Sequence, residues 1–238
     1  MASRTPFTLA AMAGACALAL GVTAPATAAR AAGGGDDAAM VSVFHGVPGL
    51  TVDVYANGDK LLGDFKPGTV TAPQALDAGT YDIQVFRAGQ SPGGTPAIEK
   101  EIKVPAGANA TIAAHLSASG RPRLTAFVND VSQVNTGKAR LTVRHVAAAP
   151  AVDVRASGQP VFKGLENPEQ ATTTVDAGTV STDVVLAGTN TVVIGPADLN
   201  LKEGTSNIVY AWGSAQDKNL ALATQTLNAK ASAPNTAG

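Results

Sequence analysis

Two histidine–aspartate pairs are the residues of this chain whose types and spacing suit chemistry: His45 with Asp53, and His145 with Asp153. Each pair is bridged by a short Pro-containing loop. A carboxylate that orients an imidazole makes a general base, and the same two groups can ligate a metal. Alternation along the chain argues for a quieter role. His45 is in phase with Val41 and Val43, at the inward end of its strand, whereas Asp53 is out of phase with Val52 and Val54 and should point outward. The pairs are therefore expected to satisfy backbone groups at the first turn of each copy, as structural or functional loop residues.

No other constellation suits catalysis. His115 breaks the apolar phase of its strand and is expected to face solvent. There is no Gly-x-Ser-x-Gly elbow, no carboxylate pair suited to glycoside hydrolysis, and no zinc or calcium ligand spacing. Asp36-Asp37 reads as a solvated pair, and Gly33-Gly34-Gly35 as a spacer with no helix after it to cradle phosphate. The Asn109-Ala110-Thr111 sequon reads as a chance match after a turn. No catalytic, cofactor or metal residue is expected, and no cofactor.

Aromatic residues offer a different kind of site. Tyr210 and Trp212 lie two apart, hence on one strand face, and Phe86 is out of phase with its strand's apolar side. On a wet face Tyr210 and Trp212 would stack on a sugar or contact a peptide; on a buried face they are core, which the shared parity of Ile208 favours.

Compartment follows from the first residues. Arg4 precedes an apolar run from Phe7 to Val22 ending at Ala26-Thr27-Ala28, the pattern of a secretory signal cleaved after Ala28. Ala13-Gly14-Ala15-Cys16 has the outline of a lipidation box, but most of such a signal's apolar run should precede the cysteine. Cleavage after Ala28 leaves no thiol. Removing Arg4 leaves 16 basic against 18 acidic residues, a net charge of about -2 with no basic cluster, which excludes nucleic acid as an expected partner; no later run approaches the roughly 18 apolar residues of a spanning helix, so no membrane insertion is expected after cleavage.

These residues sit on a repeat. Val41-Ser42-Val43-Phe44-His45 returns as Leu141-Thr142-Val143-Arg144-His145, and Val52-Asp53-Val54 returns as Val152-Asp153-Val154, both 100 residues on. Asp77-Ala78-Gly79-Thr80 returns as Asp176-Ala177-Gly178-Thr179, at an offset of 99, so one residue is lost between. Ile112-Ala113-Ala114-His115 corresponds loosely to Val209-Tyr210-Ala211-Trp212. Short alternating runs separated by Gly and Pro turns such as Asn57-Gly58 predict an all-β fold of two tandem antiparallel β-sandwich domains, immunoglobulin-like or transthyretin-like, with almost no helix. Tyr81 resembles the corner tyrosine of immunoglobulin-like sandwiches, although the second copy has Val180 there. The expected layout is a signal peptide (1–28), a flexible N-terminus (29–39), the first sandwich (40–130), a linker (131–138), the second sandwich (139–228) and a disordered tail (229–238).

The paired phrases from Val41 to Gly58 and from Leu141 to Gly158 resemble the domain of unknown function 4397, found in secreted bacterial proteins. The resemblance spans the chain after the signal, once per copy, with shorter loops between His and Asp than the family pattern. It implies export and a sandwich-like fold, and it carries no activity. The functional expectation is a non-catalytic secreted or envelope-associated binding or adhesion module, meeting a cell-envelope polymer or another extracellular protein. The alternatives are a structural spacer of the envelope or matrix, then an inhibitor or enzyme.

Overall fold

The computed structural model describes residues 38–229. The signal segment, Cys16, the Asp36-Asp37 pair and the run beyond Ala229 lie outside the described residues. Those that are described form sixteen strands and no helix. The first copy contributes β1 (Ala39–Gly46), β2 (Val52–Ala56), β3 (Asp59–Phe65), β4 (Gln74–Leu76), β5 (Gly79–Arg87), β6 (Ile98–Val104), β7 (Asn109–Leu116) and β8 (Pro122–Val128). The second contributes β9 (Lys138–Ala148), β10 (Val152–Ala156), β11 (Gln159–Leu165), β12 (Gln170–Asp176), β13 (Gly178–Leu186), β14 (Val192–Leu201), β15 (Thr205–Ser214) and β16 (Ala221–Asn228).

Each copy folds into two four-stranded sheets, ordered β4-β1-β7-β8 and β3-β2-β5-β6 in the first, β12-β9-β15-β16 and β11-β10-β13-β14 in the second. Pairing is antiparallel apart from one central parallel pair per sandwich, β1 with β7 and β9 with β15. The hairpins form where the turn residues allow them. Asn57-Gly58 between β2 and β3, and Ser157-Gly158 between β10 and β11, all take positive φ, the geometry whose twist matches the flanking strands.

The inward parity of each sandwich fills its own core. Val41, Val54, Val85, Ile112 and Leu124 meet in the first, and Leu141, Val154, Val184, Leu199 and Val209 in the second. A third core lies between the sandwiches, where the outer face of β1-β7-β8 packs on the outer face of β9-β15-β16 through Phe44, Ala113, Phe127, Val146, Ile208, Tyr210 and Leu227. β1, β7, β9 and β15 are thus buried on both faces. Alternating strands usually keep one face wet; these four do not, because each copy covers the other.

The stretch read as a linker is tied down. Val131 packs into the third core. Arg140 makes an ion pair with Asp130 at 3.0 Å and donates to the Ser132 carbonyl at 2.8 Å. All described residues fall in one compact unit.

The residue lost between the copies has a place. In the second sandwich β12 pairs with β9 in unbroken register from Gln170 with Arg144 to Asp176 with Lys138. In the first, Phe44 bridges Val70 in the matching register, but from Val41 with Gln74 onward the pairing is shifted by one. The extra residue lies in Ala72-Pro73, where proline cannot donate to a ladder. The edge strand shrinks from seven residues to three. Beside it a cavity of about 40 Å³ remains among Val43, Leu61, Phe65 and Leu76, lined by apolar atoms and suited to staying dry.

Candidate functional site

The two histidines hold the loops that follow them. His45 Nε2 donates to the Leu50 carbonyl at 2.6 Å, and Nδ1 accepts a long contact, 3.5 Å, from the Val47 amide. His145 repeats the arrangement with the Pro150 carbonyl at 2.9 Å and the Ala147 amide at 3.4 Å. Both rings are buried, and burial pushes both below the usual imidazole range despite the carbonyl bonds. Each ring is a neutral tautomer whose two nitrogens are already engaged, which leaves no lone pair aimed at a substrate.

The aspartates are clasps. Asp53 lies on the outer side of β2, as its parity predicts, yet it is only 3% exposed. Its carboxylate accepts from the amide of Asp64 at 3.0 Å and, more weakly, from that of Gly89 at 3.4 Å, and pairs with Lys60 at 2.9 Å. Asp64 has a φ of 50°, at the bulge where the β2–β3 register slips. Asp153 accepts from Gly164 at 2.7 Å and Gly188 at 3.0 Å, and Gly164 takes a φ of 63° at the same bulge. These amides hold the Asp53 carboxyl below the usual range, the Asp64 amide most and Lys60 next; Gly188 and then Gly164 do so for Asp153. One side chain thus ties a strand, a bulge and a turn together. No hydrogen bond joins His45 to Asp53 or His145 to Asp153: the histidines face the sandwich interior and the aspartates the outside of the opposing sheet. Asp53→Ala leaves the Asp64 and Gly89 amides without their acceptor and Lys60 without its partner, and about 1–2 kcal/mol of stability should be lost in urea denaturation. A loss under about 0.5 kcal/mol would remove the clasp role.

Tyr210 and Trp212 are not an exposed aromatic platform. Tyr210 is fully buried between the sandwiches, stacked on Phe44 with centroids 4.2 Å apart, and Trp212 meets Phe44 edge-on at 6.5 Å. The Trp212 ring lies over Gly68 of the first copy, where φ is +78° and a Cβ would stand 2.9 Å from Cζ2. Tyr210 is core and Trp212, partly exposed, packs against it; this core joins the two copies rather than lying inside one. Phe86 is likewise buried, edge-on to Tyr55 at 5.5 Å.

His115 does not face solvent. It does lie on the outer face of β7, but the second copy covers that face and leaves the ring 0% exposed, bonded to the Leu116 carbonyl at 2.8 Å and to Thr125 Oγ1 at 2.9 Å. Burial pushes it down to about 4.

A polar network that sequence reasoning missed crosses the same interface. Arg144, with no exposed surface, donates to Tyr210 Oη at 2.9 Å, Gln170 Oε1 at 2.9 Å and Asn129 Oδ1 at 2.8 Å, and its guanidinium carbon lies 4.5 Å from the Phe127 ring centroid. Tyr210 Oη donates to Gln225 Oε1 at 2.7 Å, and Gln225 Nε2 to Ser42 Oγ at 2.9 Å. Among the described residues no carboxylate pairs with Arg144, so neutral oxygens and rings replace its hydration. The signal in the sequence was a charged residue opposite Phe44 in otherwise matching phrases.

At one end of this interface the copies leave a groove of about 400 Å³ between the β7–β8 turn and the β15–β16 turn, with Ser119, Gly120, Ala148, Ser214, Gln216 and Asp217 in its lining. Its polar side-chain groups are hydroxyls, an amide and one carboxylate, beside the apolar Leu116, Ala118 and Ala148. Among the described residues no three His, Cys, Asp or Glu side chains gather as metal ligands.

Residues 39–155 match the family model of the Domain of unknown function (DUF4397). The DUF4397 match takes in the first sandwich and runs into the second through His145, Asp153 and β10, so it covers both occurrences of the His-loop-Val-Asp-Val phrase. No curated protein matches the chain. Among solved structures, the Bacillus anthracis TIE protein is 12% identical with a TM-score of 0.24, covering 73% of this chain and 35% of its own. The chain thus spans about a third of that protein. A family CBM26 module of Eubacterium rectale Amy13K, crystallised with maltoheptaose, is 11% identical at a TM-score of 0.26, covering 83% of this chain and 98% of that module. A Bacteroides ovatus protein proposed to act in cell adhesion is 7% identical at 0.25, covering 84% of this chain and all of that one, 100%. Likenesses at this level do not bear on function.

Proposed function

We propose that this chain is a non-catalytic binding module of the exported or envelope-associated kind, meeting a cell-envelope polymer or another extracellular protein. One observation carries the reading: the repeated His and Asp side chains are spent on holding loops, while the two sandwiches fuse into one body whose unengaged polar groups sit on turns at its end. A scaffold that fixes loops on fused sheets suits recognition by those loops, and the His and Asp side chains that could turn over a substrate are already engaged. The fusion also changes how tandem copies work. They do not act as two tethered modules gaining avidity through a flexible linker; they present one composite surface.

The test is co-sedimentation of residues 29–238 with envelope fractions of the producing cell at increasing protein concentration and two salt levels. Saturable binding to one fraction that survives the higher salt is expected. Absence of binding to every fraction would overturn the reading and leave a spacer or a soluble inhibitor in its place.

A further inference from the structure

Resting on that binding-module reading, we infer that the groove between the β7–β8 and β15–β16 turns is the recognition site and that it takes a neutral, hydroxyl-rich chain, a glycan. The volume of about 400 Å³ falls within the range of small-ligand pockets, roughly 300–1,000 Å³. The site exists only because both copies contribute to it, Ser119 and Gly120 from one and Ser214, Gln216 and Asp217 from the other.

The ligand class follows from what the groove offers. No Lys, Arg or His lines it, which disfavours an anion. A single carboxylate is too few for a calcium site. Main-chain groups of the lining at Leu116, Ala148 and Ser214 are already engaged, which disfavours a peptide added as a strand. The Leu116 carbonyl accepts from Asn167 Nδ2 at 2.8 Å, the Ala148 carbonyl from the Ala215 amide at 3.0 Å, and the Ser214 amide donates to Asn219 Oδ1 at 2.7 Å. The Gln216 and Asp217 side chains, both exposed, make no bond within the described chain. Their amide and carboxylate can receive and return hydroxyl hydrogen bonds, and Gly120, with nothing within 4 Å of where a Cβ would stand, leaves room for a ring. With no aromatic among the lining residues, binding should be weak, in the millimolar range.

The experiment is an NMR titration of ¹⁵N-labelled residues 29–238 with soluble linear hexasaccharides of α-glucan, β-glucan, mannan and chitin type, alongside a Gly-Ser peptide and calcium chloride. At least one sugar should give saturable shifts confined to the turns around Ser119 and Asp217. Asp217→Ala and Gln216→Ala should each leave the melting temperature unchanged, and Asp217→Ala should weaken that sugar about tenfold or more. The inference falls if no sugar shifts any amide, if the shifts lie elsewhere or persist in both variants, or if only the peptide or calcium moves the groove. Envelope binding retained by the double variant would likewise overturn the groove while leaving the binding-module reading intact; loss of envelope binding by the unaltered protein would strike the earlier reading itself.

Discussion

Replacing Tyr210 with alanine should cost the protein about 3–5 kcal/mol, at the upper end of that range, measured by urea denaturation. The ring is fully buried and stacked on Phe44, so its removal leaves a void in the core that joins the copies. The hydroxyl stands between the Arg144 guanidinium and Gln225, so its loss also strips a partner from a buried cation that has no carboxylate to fall back on. Tyr210→Phe separates the two effects: the stack survives and the relay is cut, with an expected loss of about 1–3 kcal/mol. A loss under about 1 kcal/mol for the alanine variant would mean that the interface contributes little to holding the chain together.

Stability should fall as pH drops from about 6.5 toward 4, before the carboxylates titrate. All three histidines are buried and held neutral, their folded pKa values below the unfolded value of about 6.5. Between the two values the unfolded chain binds more protons than the folded one, so acidification favours unfolding across that window and the effect levels off once the folded ring also titrates. For His115, pushed down to about 4, the full loss is about 3 kcal/mol. His45 and His145 add to it in the same direction. Below the ordinary carboxylate range Asp53, Asp130, Asp153 and Asp183, all depressed, add a second loss. Denaturation midpoints from pH 8 to pH 4, together with a flatter slope in His115→Gln, check this account; a midpoint independent of pH above about 4.5 would contradict it.

Much of each sandwich was legible because its signals are local. Alternation placed His45 inward and Asp53 outward, Asn57-Gly58 marked its hairpin, and Tyr81 Oη donates to the Asp77 carbonyl at 2.8 Å, as a corner tyrosine should. The change of offset between the copies foreshadowed the break at Ala72-Pro73. What escaped was non-local. A residue out of phase with its own core looks solvated until something covers it, and His115 and Arg144 are both covered by the other copy. The hint was present in runs such as Ile208-Val209-Tyr210-Ala211, apolar on both parities, which is how a strand buried on both faces reads. The parallel pairings of β1 with β7 and β9 with β15 join strands far apart in sequence, and no turn between neighbours announces them. That the aspartates satisfy backbone groups was expected, but not which ones: only the folded bulge at Asp64 and the turn at Gly89 show what Asp53 holds.

The single composite surface proposed here requires the two copies to be one body: the groove belongs to neither alone, and the buried network of Arg144, Tyr210, Gln225 and Ser42 crosses between them. Scanning calorimetry of residues 29–238 tests this most directly. A single transition whose calorimetric and van't Hoff enthalpies agree is the expected result. Two resolved transitions, one per sandwich, would contradict it.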